Sequence, residues 1–208
     1  MLECEPFEWG YLDDAFDTPE ASRQLMLQFP DTEFCRMESR DKGKRYAMSA
    51  RRVHSMMNGL TGAWREFLRS LEAESYRRTL SKVVGVCLDT LQQEITLCRY
   101  HFGDHLAAHT DKRSKVVTQI YYFSEPDWVE SYGGCLDILA SDDSNAVVRR
   151  IAPVCGNSVV VVRSDRSWHA VTPHHRSGYD RCAVQVVFHR DGLNYSYDLP
   201  TCEGRFEF

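Results

Sequence analysis

The sequence lacks several features that would place a protein in a special class. No run of 18 or more apolar residues occurs in its 208 residues, so no transmembrane helix is expected. Positive charge is not in excess, since 25 Lys and Arg stand against 30 Asp and Glu, and neither nucleic acid nor an anionic membrane is expected as a partner. No repeat, linker or low-complexity tract divides the chain. We therefore expect a single domain over residues 1–208.

Paired cysteine motifs are also missing. The eight cysteines form no C-x-x-C pair, and several lie in apolar runs such as VVGVCLDTL, where a reduced thiol packs as a small hydrophobic group. The first ten residues, MLECEPFEWG, are acidic and lack the positive charge of a secretory signal. We expect free thiols and a cytoplasmic location. The cysteines are Cys4, Cys35, Cys87, Cys98, Cys135, Cys155, Cys182 and Cys202.

The first part of the chain has the pattern of helices. In TPEASRQLMLQF, Thr18 suits a helix N-cap and Pro19 suits the first helical position. A second stretch, GAWREFLRSLEAESYRRTLSKVVG, has apolar residues at intervals of three and four, and Gly85 is a suitable end for it. The pattern predicts a helical N-terminal support over residues 1–90.

The charged sequence ESRDKGKRYAMSARR, in the 36–54 segment, interrupts the helical pattern. Two interpretations are open. The segment is either a lid over a site, with Arg51 and Arg52 available for an acidic group of a substrate, or a solvated connection between helices.

From residue 91 the pattern becomes that of short strands. Segments rich in β-branched and aromatic residues alternate with clusters of Gly, Pro, Asp, Ser and Asn, without helices between them. This predicts a sandwich or a jelly roll rather than a parallel α/β sheet. The expected fold class is α+β, mainly β, with a core over residues 91–200 and the N-terminal helices packed on one sheet. The segments are EITLCRY, KVVTQIYYF, GCLDILA, AVVRRIAP, NSVVVVRS, WHAVTP and RCAVQVVFHR.

Candidate metal ligands occur in two of the strand segments. In HFGDHLAAHTDK, His109 and Asp111 are two residues apart, so on an extended strand they face the same side. In SDRSWHAVTP, His169 begins a late strand, either as a third ligand or as a core histidine bonded to a backbone carbonyl. Two histidines and one carboxylate form the facial triad of non-haem iron(II) enzymes that activate dioxygen. The neighbouring His101, Asp104 and His105 lack this support, and we expect structural roles for them.

A buried cation is expected on the strand that follows. Arg181 begins the apolar run RCAVQVVF, and an arginine is costly to bury unless it meets an anion. Its planar fork can bind a carboxylate through two hydrogen bonds. The alternative is an internal ion pair with Asp137 or Asp180. Arg176, in the turn HHRSG, is a rival anchor outside the apolar run.

These pieces together resemble the iron(II)- and 2-oxoglutarate-dependent oxygenases, in their prolyl-4-hydroxylase-like branch. The resemblance rests on RYHFGDHLAAHTD, KVVTQIYYFSEPDW, YGGCLDIL, SDRSWHAVTP and RCAVQVVF, which lie between about residue 95 and residue 190. It implies a double-stranded β-helix, a jelly roll of the cupin-like kind. It also implies Fe(II), 2-oxoglutarate and O2 as cofactor and cosubstrates, with ascorbate as a further candidate.

The same resemblance implies roles for individual residues. The triad would hold iron, Arg181 would bind the far carboxylate of 2-oxoglutarate, and the Tyr122 hydroxyl would contact that carboxylate as well. Thr118 shares a strand face with Tyr122 and would line the same cosubstrate slot. Tyr100 lies where the family often has a tyrosine near the metal, and ordinary core packing is an equal alternative for it.

The function that the resemblance implies is hydroxylation of an unactivated C–H bond, with release of succinate and CO2. The acidic composition and the absence of a peptide-binding module lead us to expect a small-molecule substrate, an amino acid or a biosynthetic intermediate. A peptidyl-prolyl-type protein substrate is the first alternative. A cupin-like metal enzyme that does not use 2-oxoglutarate is the second, and it leaves Arg181 without a role. A non-enzymatic binding module with a structural metal fits less well, because structural sites are usually closed by a fourth ligand.

Overall fold

The computed structural model describes residues 2–41, 45–53 and 59–190. Within these ranges lie three α-helices, a short 3₁₀ helix over Glu130–Tyr132 and eleven strands. The helices are α1 (Pro19–Leu27), α2 (Gly62–Glu72) and α3 (Glu74–Val84). The strands are β1 (Trp9–Leu12), β2 (Cys35–Ser39), β3 (Tyr46–Arg52), β4 (Gln92–Tyr100), β5 (His105–His109), β6 (Lys115–Tyr122), β7 (Leu136–Leu139), β8 (Val147–Ile151), β9 (Ser158–Val162), β10 (His169–Val171) and β11 (Arg181–His189).

Local signals in the sequence set the helix ends. The Thr18 hydroxyl accepts a hydrogen bond from the Ala21 amide and caps α1, and Pro19 is its first residue, as predicted. The second predicted stretch is two helices rather than one, because Ala73 between α2 and α3 has an extended backbone with ψ of 145°. Gly85 ends α3 with φ of 67°, in the left-handed region that glycine enters most easily.

The strands of the described residues form one curled antiparallel sheet. Its order is β1-β9-β6-β11-β4-β3-β5-β10-β7-β8, and β2 pairs with β3 outside this path. β10 lies between β5 and β7, and its register places His169 directly opposite His109. β11 lies between β4 and β6, and its first residue, Arg181, pairs with Tyr100 of β4.

Side chains alternate along the strands and fill two cores. On the inner side, Ile120 of β6 belongs to the same cluster as Ile138 of β7, although these strands are far apart in the sheet order. The sheet therefore curls over itself and encloses this core. On the outer side, Trp64 and Leu68 of α2 pack against residues such as Val184 of β11. The predicted fold class, mainly β with helices on one sheet, is confirmed.

Residues 1–90 are not only helical, which corrects the prediction for that part of the chain. They also contribute β1, β2 and β3 to the sheet. β3 pairs with both β4 and β5 and buries Met48 and Ala50 completely. β1 (WGYL) is only four residues long, and β2 (CRMES) and β3 (YAMSARR) carry charged residues, so their pairing depends on tertiary contacts that a local pattern does not show.

The 36–54 segment contributes a β-hairpin to the sheet rather than a lid or a solvated connection. Its residues 42–44 and 54 lie outside the described residues. The two arginines considered for a substrate are paired inside the fold: Arg51 lies 2.6 Å from Glu33, and Arg52 lies 3.6 Å from Glu94.

The described cysteines, from Cys4 to Cys182, are free thiols, and Cys202 lies outside the described residues. Burial raises the pKa of the Cys182 thiol to about 12, so this group stays protonated. None of the described helices is long and apolar enough to cross a membrane. Residues 191–200, the predicted end of the core, are not among the described residues.

Candidate active site

The three candidate metal ligands lie together at one end of β5 and β10. His109 is the last residue of β5, His169 is the first residue of β10, and Asp111 follows two residues after the end of β5. One ligand atom from each residue lies within 4.8 Å of the others, and all three residues are buried. The predicted geometry differs in one respect, since Asp111 is in the loop after the strand rather than on it. The structure nevertheless brings all three side chains to one point.

Hydrogen bonds orient both imidazoles of this cluster. Nδ1 of His109 lies 3.0 Å from the Ala107 carbonyl, and Nδ1 of His169 lies 2.9 Å from the Ser167 carbonyl. A carbonyl only accepts, so in the neutral ring each Nδ1 carries the proton and each Nε2 carries the lone pair. Histidines that bind metals commonly have this arrangement, because the second hydrogen bond fixes the tautomer and the ring orientation.

Asp111 is held by two donors in the interior. Nζ of Lys115 donates to Oδ1 at 2.7 Å, and the Thr118 hydroxyl donates to Oδ2 at 3.0 Å. Burial by itself raises the pKa of Asp111, but Lys115 and the two histidines of the cluster outweigh this effect and hold the pKa well below its usual range. The carboxylate is therefore ionised, which is the form that binds a metal. Thr118, predicted to line the cosubstrate slot, also contacts a metal ligand directly.

Arg181 is a buried cation in the same pocket. Arg181 is 1% exposed, and its Nε donates a hydrogen bond to the Gly134 carbonyl at 2.7 Å. Gly134 has φ of +66°, and a Cβ there would lie 3.3 Å from Cδ of Arg181. A glycine at this position therefore lets the backbone approach the arginine closely and hold it.

Neither internal ion pair considered for Arg181 is formed. Asp137 pairs with Arg150 at 2.7 Å, and Asp180 lies 2.8 Å from His101. No carboxylate within the described ranges lies in salt-bridge distance of Arg181. A buried guanidinium without an anion is unfavourable, so this site is suited to an anionic ligand.

Two tyrosine rings flank the guanidinium. Cζ of Arg181 lies 4.6 Å from the ring centroid of Tyr100 and 5.2 Å from that of Tyr122. Both residues are fully buried, and neither hydroxyl has a hydrogen-bond partner of normal geometry in the described part of the chain. Burial raises the pKa of Tyr122 to about 12 against the opposing charge of Arg181. Both hydroxyls are therefore protonated and able to donate to an anion beside the guanidinium.

One pocket contains the metal-ligand cluster and the cation. The triad, Thr118 and Arg181 line it, together with apolar side chains such as Leu136 and Val161. This combination fits a divalent metal with an anionic chelator, since the ligand set is two imidazoles and one carboxylate and the unpaired cation faces the same space. Tyr100 and Tyr122 flank Arg181 without lining the pocket.

Sequence reasoning missed two polar residues that line this pocket, Lys115 and Gln185. Signals for both were present in the sequence. Lys115 opens the apolar run KVVTQIYY, and Gln185 follows Arg181 by four positions in RCAVQVVF, on the same face of the strand. Both are buried polar side chains in strands that are otherwise apolar, which is the informative kind of exception to the burial rule.

The other polar residues of HFGDHLAAHTDK have structural roles. Asp104 accepts two hydrogen bonds from Arg36, at 2.5 and 2.6 Å. Nδ1 of His105 lies 3.3 Å from a neighbouring backbone carbonyl, and His105 does not line the pocket. The rival anchor Arg176 pairs with Asp127 at 3.2 Å and likewise does not line the pocket.

Comparison with known sequences places this geometry in a family. Residues 95–189, which include the triad and Arg181, match the sequence profile of the 2OG-Fe(II) oxygenase superfamily. The matched region, residues 95–189, belongs to that superfamily. Membership implies Fe(II), 2-oxoglutarate and O2 for the oxygenase, and the triad is the matching ligand set.

Two curated proteins that are similar to this chain are named as prolyl 3-hydroxylases. The chain is 32% identical to the prolyl 3-hydroxylase sudestada1 of Drosophila melanogaster over 134 residues, which is 60% of this chain and 24% of the relative. It is 28% identical to a prolyl 3-hydroxylase of Xenopus laevis over 125 residues, 59% of this chain and 24% of the relative. The chain thus spans about a quarter of the length of the curated relatives it matches.

A solved structure confirms the predicted double-stranded β-helix. A prolyl-4-hydroxylase of Pseudomonas putida superposes with a TM-score of 0.61 over 88% of this chain and 93% of that one, at 19% sequence identity. At this identity the likeness concerns the fold alone.

Gly134→Ala in the oxygenase is expected to raise KM for 2-oxoglutarate by about fivefold and to leave kcat nearly unchanged. The new Cβ lies 3.3 Å from Cδ of Arg181 and displaces the guanidinium, and about 1 kcal/mol of lost binding corresponds to this factor. Steady-state kinetics with varied cosubstrate measure it. Gly178→Ala is the matched control, because Gly178 also has positive φ, at +81°, but a Cβ there has no neighbour within 4 Å. Equal KM changes in both variants would contradict the contact with Arg181.

Proposed function

We propose that this chain is an Fe(II)- and 2-oxoglutarate-dependent dioxygenase that hydroxylates an unactivated C–H bond. The observation that carries the proposal is the presence, in one pocket, of a buried His-Asp-His cluster and a buried arginine without an anionic partner. A cupin-like enzyme that does not use 2-oxoglutarate would need the His-Asp-His cluster, but it would leave Arg181 without an anion to bind. A structural metal site would need a fourth ligand, and none is seen among the described residues.

The triad, the buried arginine and its neighbouring tyrosine have different roles in this reaction. His109, Asp111 and His169 hold the metal through Nε2 and carboxylate oxygen atoms and leave coordination positions for ligands. Bound Fe(II) with 2-oxoglutarate supplies the oxidising chemistry that activates O2. Arg181 binds the far carboxylate of the cosubstrate, and the Tyr122 hydroxyl beside it donates a hydrogen bond to the same group. The apolar walls formed by residues such as Leu136 and Val161 exclude water from the pocket.

We propose further that the substrate is a prolyl residue of a peptide or protein, which was the alternative to a small molecule in the sequence analysis. Its support is that the curated relatives with the matched region are prolyl 3-hydroxylases. The solved prolyl-4-hydroxylase of Pseudomonas putida, at 19% identity, supports the fold and adds nothing about the substrate. The small-molecule expectation rested on composition and on a missing accessory module, which are weaker grounds than a shared sequence region.

Two measurements test the proposed function. Anaerobic addition of Fe(II) and then 2-oxoglutarate is expected to produce the visible charge-transfer band of the chelated cosubstrate. No band would contradict the use of 2-oxoglutarate. A library of proline-containing peptides, matched to the same peptides with alanine for proline, is then assayed for succinate and for a mass increase of one oxygen atom. Succinate formation that requires proline supports the peptidyl assignment, whereas a response only to free metabolites would overturn it.

A further inference from the structure

Lys115 is a polar residue of the pocket that the roles given above leave unexplained. It is the first residue of β6, it is 4% exposed, and it lines the same pocket as the triad. Its Nζ donates to Oδ1 of Asp111 at 2.7 Å. A buried ammonium loses the hydration that an exposed lysine keeps, so its position needs a specific contact that compensates for this loss.

The carboxylate of Asp111 has its two oxygens bound differently. Oδ1 meets the charged ammonium of Lys115, and Oδ2 meets the neutral hydroxyl of Thr118. Both hydrogen bonds reach an ionised carboxylate, but only the bond from Lys115, at 2.7 Å, adds the attraction of an opposite charge in a buried site. Oδ1 is therefore the oxygen that is more firmly engaged by the protein, and Oδ2 is the one that a metal can take more easily.

We propose that Lys115 is a positioning residue that keeps Asp111 a one-oxygen ligand by holding Oδ1. This inference rests on the proposed function, because it concerns the metal that the triad holds. With one oxygen committed to Lys115, the carboxylate occupies a single coordination position. The positions that a chelating cosubstrate needs then stay open.

Loss of Lys115 has two opposite consequences. Asp111 becomes a buried carboxylate without its cation, and a divalent metal then supplies the missing positive charge, so the metal binds more tightly. The released Oδ1 can also bind the metal, and this closes a position that 2-oxoglutarate uses. The cosubstrate therefore binds more weakly. If Lys115 only supported the local fold, its loss would weaken the binding of both the metal and 2-oxoglutarate.

The test uses Co(II) as the probe metal in the full chain, with its visible absorption as the signal. For Lys115→Met we expect the Kd of Co(II) to fall about tenfold and the Kd of 2-oxoglutarate for the Co(II)-loaded protein to rise about tenfold, each equivalent to about 1.4 kcal/mol. The rise in Tm on adding Co(II) should also be larger than in the wild type. Lys115→Arg keeps the charge and should stay close to the wild type in both constants.

Controls separate this inference from its alternatives. Lys82→Met, an exposed lysine of α3, should change neither constant. If Lys115→Met does not fold, Lys115→Gln, also neutral, repeats the test with changes in the same two directions. Weaker binding of both ligands, or no change in either, would overturn the positioning role. If the wild-type Co(II) protein fails to bind 2-oxoglutarate, the proposed function fails, while the change in Co(II) affinity still decides the role of Lys115.

Discussion

Replacing Arg181 with alanine is expected to remove 2-oxoglutarate-dependent turnover at ordinary cosubstrate concentrations. Arg181 is 1% exposed and lines the same pocket as the triad. Truncating one partner of a buried, hydrogen-bonded charge pair costs roughly 2–5 kcal/mol, so KM for 2-oxoglutarate should rise about a hundredfold or more. Succinate formation against cosubstrate concentration measures the change.

Two further variants and a check of folding separate the effects of charge, side-chain geometry and misfolding on KM. Arg181→Lys keeps a cation but loses the planar fork, and it should show an intermediate KM. Arg176→Ala removes the rival arginine, which pairs with Asp127 outside the pocket, and KM should stay at the wild-type value. Circular dichroism checks that each variant is folded. Full turnover by Arg181→Ala at ordinary cosubstrate levels would show that the 2-oxoglutarate assignment is wrong.

His109→Ala should lose metal binding and reduce activity by about three orders of magnitude or more. His109 provides one of three protein ligands, and a catalytic metal contributes several kcal/mol to the transition state, at about tenfold in rate for each 1.4 kcal/mol. The expected loss appears both in the Fe(II) content after dialysis and in kcat/KM.

A second histidine on β5 provides the matched control for this change. His105 lies on the same strand but does not line the pocket, and its Nδ1 is 3.3 Å from the Gly103 carbonyl. His105→Ala should therefore keep the wild-type metal content and activity. Equal losses in the two variants would indicate damage to β5 rather than removal of a metal ligand.

The features that sequence predicted best are those with strong local chemistry. Thr18, Pro19 and Gly85 fixed helix ends through backbone rules, and the β-rich segments matched strands because β-branched residues pack well in sheets. The triad residues and Arg181 were found from residue types that are costly in an apolar core. The structure places all four in one pocket, and their roles there stay predictions until the variants are measured.

The features that sequence missed depend on contacts between distant segments. β3 carries Arg51 and Arg52, and only the fold shows that Glu33 and Glu94 pair with them. The place of Lys115 at the head of an apolar run is a weak signal by itself, for a similar reason. A lysine at a strand end is normally a solvated residue, and its burial against a carboxylate appears only when the loop after β5 folds back onto β6.

The pairing of β5 with β10 makes the candidate metal site a reporter of folding. His109 and His169 face each other across this ladder, yet they are far apart in the chain, so their contact requires the closure of a long loop. A slip of one residue in the register would turn one imidazole to the opposite face of the sheet. A chain that binds metal has therefore already formed the pairing of β5 with β10, which joins distant parts of the chain. Time-resolved metal binding during refolding would measure when this pairing forms.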